Sequence, residues 1–92
     1  MATILIPAPL RQYAAGQSAI QAAGATVAEV LAELVGAHPD LRRHLFNDEG
    51  RLRSFMNLYL NDDDIRYLDK EGTAVSPADT LTIVPSIAGG AR

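Results

Sequence analysis

Val27, Val30, Leu31, Leu34 and Val35 recur at the spacing of one helical face, and no other stretch of the 92-residue chain carries so firm a pattern. A stripe of this kind has to be laid against another apolar surface, so whatever else the chain forms must supply one. Thr26 and Glu29 stand three apart just before the stripe, the arrangement of a capping box in which each side chain satisfies an amide at the helix start. The helix is therefore placed over residues 26–35. Gly36 loosens its last turn, and Pro39 suits the first turn of a second, short helix in which Leu41 and Leu45 share a face. Asn47-Asp48-Glu49-Gly50 closes that unit with turn chemistry.

The partner surface is read from segments with a period of two. Residues 3–6 are β-branched or apolar and stop at Pro7, whose missing amide cannot extend a ladder. After a segment 8–16 ending in a turn-forming glycine, residues 18–22 can return as a second strand and complete a hairpin. Residues 55–60 form a strand with Met56, Leu58 and Leu60 on one face and Asn57 and Tyr59 on the other. Asn61-Asp62-Asp63-Asp64 is a turn leading to Ile65, and residues 66–76 are irregular, with room for one short helical turn. Pro77-Ala78-Asp79 reverses the chain into a last strand over 80–84, where Leu81 and Ile83 alternate with Thr82 and Val84 before Pro85. The result is an α+β layer: a mixed sheet of four to five strands packed on one main helix, with the first and last strands paired in parallel. No repeat or interdomain linker is visible, so a single domain is placed at 1–85, followed by a tail at 86–92.

Composition narrows the function. A net charge of −3 and a pI near 5.1 set the overall field against a phosphate backbone, so nucleic acid is not an expected partner. The apolar run at the N-terminus is too short for a signal sequence or a membrane span, which makes the cytoplasm the expected location and a free monomer the expected state. The chain has no cysteine, which removes disulfides, thiolate metal sites and cysteine nucleophiles together. Asp62, Asp63 and Asp64 lack the glycine and distal glutamate of a calcium loop and are read as a solvated turn. His38 and His44 have no zinc-site spacing and are read as helix-end or surface residues, so no metal is expected. Ser18, Ser54, Ser76 and Ser86 have no nucleophile-elbow context, and Lys70, the only lysine, is read as a solvated side chain. No catalytic side chain is identified.

The helix 26–35, the run Phe55-Met56-Asn57-Leu58-Tyr59-Leu60-Asn61-Asp62-Asp63-Asp64-Ile65 and the ending from Pro77 through Pro85 to Gly89-Gly90 together resemble the MoaD/ThiS-type sulfur carriers, bacterial relatives of ubiquitin. The resemblance covers the whole chain and is most specific in its last segment, which joins a turn acid, an alternating strand, a proline and a diglycine. Within that family the stretch 57–66 is most similar to the carriers used for cysteine synthesis. The small subunit of molybdopterin synthase and the thiamine carriers are the alternatives, as is a ubiquitin-like modifier joined to lysines through Gly90. The implied fold is the β-grasp, or ubiquitin-like, fold. The chain is then a carrier and not an enzyme: it binds no cofactor, while an E1-like partner uses ATP to adenylate the Gly90 carboxylate. A sulfur donor converts this to a thiocarboxylate, and a sulfur-accepting synthase takes the sulfur.

The tail suits that role. Ser86, Ile87, Ala88, Gly89 and Gly90 span about 17 Å when extended, enough to thread a chain end into a buried active site. Glycines at the tip add no side chain to a narrow channel. In the typical carrier the second glycine is the last residue, whereas Ala91 and Arg92 follow Gly90 here. Either a protease, by analogy a metalloprotease, removes the dipeptide, or the two residues are a cloning remnant; removal is the favoured reading. Docking of the activating enzyme needs a folded surface as well, and period-two alternation assigns Leu5, Tyr59 and Val84 to the sheet face away from the helix.

Overall fold

A computed structural model describes residues 1–85. Five strands form one mixed sheet: β1 (Ala2–Leu5), β2 (Ala19–Ala22), β3 (Met56–Leu60), β4 (Asp63–Asp64) and β5 (Thr80–Pro85), in the spatial order β2-β1-β5-β3-β4. β1 runs parallel to β5 with Ile4 opposite Leu81, and every other neighbour is antiparallel. The main helix, α1 (Val27–Ala37), lies across one face, and a short helical unit follows it, a 3-10 turn at Pro39–Leu41 running into α2 (Arg42–Leu45). This is the α+β layer expected from the order of elements, in the β-grasp, ubiquitin-like form that the resemblance implies.

The helix stripe does what its spacing requires. Val27, Val30, Leu31, Leu34 and Val35 are buried against Ile4, Leu58, Leu81 and Ile83, the inward residues of the three central strands. Removing each such side chain from water is worth about 1.5–3 kcal/mol, so this layer is the main source of cohesion. The capping box forms with a small difference: Thr26 Oγ1 accepts the Glu29 amide at 3.3 Å, while the Glu29 carboxylate reaches past Thr26 to accept from the Ala25 amide at 2.9 Å. The Val27 amide, a donor left over at the helix start, finds the Thr73 carbonyl at 3.0 Å. Through that bond and the Val75 amide to the Ala25 carbonyl, the irregular chain before β5 is tied to the head of α1.

Several local expectations change. The segment 8–16, for which only a turn at its glycine is expected, contains a 3-10 helix, Ala8–Tyr13, which is N-capped by Pro7 and buries Leu10. The segment read as irregular at 66–76 holds two 3-10 turns, Ile65–Tyr67 and Lys70–Gly72. Asp63 and Asp64, read as a solvated turn, are instead a short strand paired with Leu60 and Tyr59. Asp64 is only 8% exposed. The reason is Arg66, whose backbone amide, Nε and NH2 group all donate to the Asp64 carboxylate, the shortest contact being 2.7 Å. Pro85 does not stop β5 one residue earlier; it is the strand's last residue, opposite Met56. His44 does stand at a helix end, in the last turn of α2, but it is half-buried: its ring is stacked on Tyr13 with centroids 4.1 Å apart, and its Nε2 is buried without a partner among the described residues.

Candidate functional site

β5 lies between β1 and β3; β1 accompanies it as far as Thr82, and β3 continues to Pro85, the end of the described structure. The outward residues of β5 are Thr80, Thr82 and Val84. Thr82 is opposite Leu5 on one side and Tyr59 on the other, which makes a row of three across the sheet. With neighbouring strands about 4.8 Å apart, Leu5 and Tyr59 stand roughly 10 Å from each other across Thr82. Val84 is two residues further along β5, opposite Asn57 and diagonal to Tyr59. Leu5 and Val84 are each 39% exposed and Tyr59 is half-buried. The three side chains assigned to a docking face therefore do lie on the face opposite α1, on three adjoining strands. Thr82 and Asn57 complete that surface; period-two alternation placed both on it, but their polarity kept them out of an apolar patch.

The rim is charged. Tyr59 faces Asp64 across the β3–β4 pair. Hydrogen bonds from the Arg66 side chain and backbone hold the Asp64 carboxyl below its ordinary range, and the same contact raises Arg66 above its own. Asp62 on the turn and Asp63 at the start of β4 are exposed. At the base of β5, hydrogen bonds from the Ser76 amide and the Asn61 side chain hold Asp79 below the usual carboxylate range. Among the described residues no group of three or more His, Asp or Glu side chains could hold a metal ion. His38 ends α1, where its amide donates to the Leu34 carbonyl. Ser86, Ile87, Ala88, Gly89 and Gly90, and the Ala91-Arg92 dipeptide after them, lie outside the described residues.

The sequence profile of the ThiS family matches residues 4–90, nearly the whole chain, and its last matched residue is Gly90. This chain belongs to the ThiS family. Its ThiS-family relatives include sulfur carrier protein CysO of Mycobacterium tuberculosis, 34% identical over 90 residues that cover 96% of this chain and 97% of the relative. Small archaeal modifier protein 1 of Haloferax volcanii is 36% identical over 66 residues, 72% of this chain and 71% of that protein. Among solved structures, the Amycolatopsis orientalis BexX/CysO complex contains a chain that superposes with a TM-score of 0.89 at 37% identity, covering 98% of this ThiS-family chain and 100% of that one. The chain is thus a small ubiquitin-like sulfur carrier by family, similar to the CysO carriers in sequence and in fold. No helix among the described residues is long and apolar enough to cross a membrane.

Proposed function

We propose that this protein carries sulfur as a thiocarboxylate on Gly90 and delivers it for cysteine biosynthesis. The family match running up to Gly90 carries the reading, because it makes the diglycine part of the shared pattern and leaves Ala91 and Arg92 beyond it. In this scheme a protease first removes Ala91-Arg92 and frees the Gly90 carboxylate. An E1-like enzyme then joins that carboxylate to the α-phosphate of ATP and releases pyrophosphate. A sulfur donor displaces AMP, and the resulting thiocarboxylate hands its sulfur to a synthase. The chain supplies no catalytic group; its part is to present the chain end and to be gripped.

The grip is assigned to the outer sheet face. Leu5, Tyr59 and Val84 surround the strand that leads to the tail, so an enzyme seated there holds the tail's root within about 17 Å of Gly90. A second reading, attachment of Gly90 to lysines of other proteins, is favoured by the similarity to the Haloferax volcanii modifier. The test is ATP–pyrophosphate exchange with the activating enzyme of the same host, on chains ending at Gly90 and at Arg92. Exchange with the Gly90-ended chain alone supports the scheme. Equal exchange by the Arg92-ended chain, with its dipeptide still attached, would overturn it.

A further inference from the structure

A groove of about 470 Å³ lies beside the N-terminal half of β3. Its floor is apolar, built from Leu52, Met56, Leu58 and Ile65, and its cationic walls are Arg51, Arg53, Arg66 and Lys70. Half of the chain's eight basic residues therefore meet at one place on a molecule of net charge −3, against a single carboxylate, Glu71. They come from the two sides of the β3–β4 pair, the loop before β3 and the 3-10 turns after β4. Arg66 is committed to Asp64, and Arg53 Nε donates to the Arg43 carbonyl, but Arg51 and Lys70 have no carboxylate partner among the described residues. Lys70 sits at φ 55, a left-handed conformation that a glycine would adopt without cost.

We infer that this groove receives an acidic, extended segment of the partner protein that handles the tail, an inference that rests on the carrier reading above. Position is the first argument. Met56 lines the groove and is paired with Pro85, so the chain leaves the sheet one strand spacing from the groove wall. A protein that grips the chain next to Pro85 would have the groove within reach. Charge is the second. Arg51, Arg66 and Lys70 are exposed and Arg53 is half-buried, and no unpartnered buried donor among the described residues lines the groove. That geometry matches carboxylates strung along a peptide, whose stem can also cover the apolar floor, and does not match one compact phosphate.

The full chain, isotope-labelled for NMR, is titrated with a short oligoglutamate peptide at low salt, with an oligoglutamine peptide as control. Amide shifts should cluster at residues 51–57 and 65–71 and fade with added salt. The Arg51→Glu/Lys70→Glu variant leaves the Asp64–Arg66 and Arg53–Arg43 contacts intact and should weaken oligoglutamate binding about tenfold. A chain lacking Gly90 should bind the peptide unchanged, which separates the groove from the fate of the tail: peptide binding without thiocarboxylate formation sinks only the carrier reading, and the reverse sinks only the groove. Absent shifts, shifts elsewhere, binding indifferent to the double charge reversal, or tighter binding of inorganic phosphate or a single-stranded oligonucleotide would each overturn the inference.

Discussion

The side-chain amide of Asn61 donates to the Asp79 carboxylate at 3.2 Å, and the Asn61 carbonyl oxygen in turn accepts from the Thr80 amide at 3.0 Å. This latch joins the turn after β3 to the entry of β5, the strand that leads to the tail. Asn61 holds φ 57, a left-handed conformation that asparagine tolerates better than most residues. Asp79 closes the other side by accepting the Ser76 amide at 2.8 Å.

The latch predicts a pH dependence. Asp79 and Asp64 both have folded-state pKa values below their ordinary ones, through the Ser76 and Asn61 donors in one case and Arg66 in the other. A depressed carboxyl stabilises the fold above its unfolded pKa, about 3.9, and loses that contribution as pH falls through the folded value. Urea midpoints should therefore be level near neutrality and decline below about pH 4. Asn61→Gly keeps the left-handed backbone while removing one donor to Asp79, so its acid decline should be shallower. Identical slopes for the two proteins would show that the latch does not couple to Asp79.

At the head of α1, the Thr26 side chain accepts the Glu29 amide, and Thr26→Ala should cost about 1 kcal/mol in chemical denaturation. Gly24→Ala should cost more. A Cβ there would stand 2.7 Å from the Val30 amide nitrogen, on a backbone with φ 155 that side chains rarely adopt. A Gly24→Ala protein as stable as the parent would mean that the helix start can shift without penalty.

Leu31 is fully buried between α1 and the sheet. Leu31→Ala should destabilise by about 2–5 kcal/mol, from lost burial plus the cavity left behind. Thermal unfolding followed by circular dichroism provides the readout, and a shift comparable to that of an exposed substitution would contradict the layer packing.

Leu5→Lys and Val84→Lys place charges on the outer face without touching the core. Stability should change by about 0.5 kcal/mol or less. The KM of the activating enzyme for this carrier should rise about tenfold or more if the two side chains are anchors of the docking face. An unchanged KM in both variants would move the docking site elsewhere.

Legibility in the sequence followed how local each signal was. The α1 stripe and the Leu81/Ile83 alternation were readable because each element's own period fixes its buried face. The same alternation placed Leu5, Tyr59 and Val84 together, although it could not show Thr82 standing between two of them. The 3-10 helix Ala8–Tyr13 is not legible because Pro7 reads only as the end of the first strand, whereas it sits at this helix's N-cap. Asp63-Asp64 was missed as a strand because aspartate is a poor strand former, and pairing with β3 together with Arg66 overrides that preference. The Tyr13–His44 stack and the meeting of Arg51 with Lys70 depend on tertiary placement alone. The role proposed for Gly90 rests on resemblance alone, since a diglycine by itself has no distinctive period or pattern.

The central claim is best tested by the intact mass of the protein recovered from its native host. The account predicts a species that has lost Ala91 and Arg92 and carries sulfur in place of one oxygen at the Gly90 terminus. Recovery of only the full-length chain ending in Arg92, under conditions where the host is making cysteine, would contradict it.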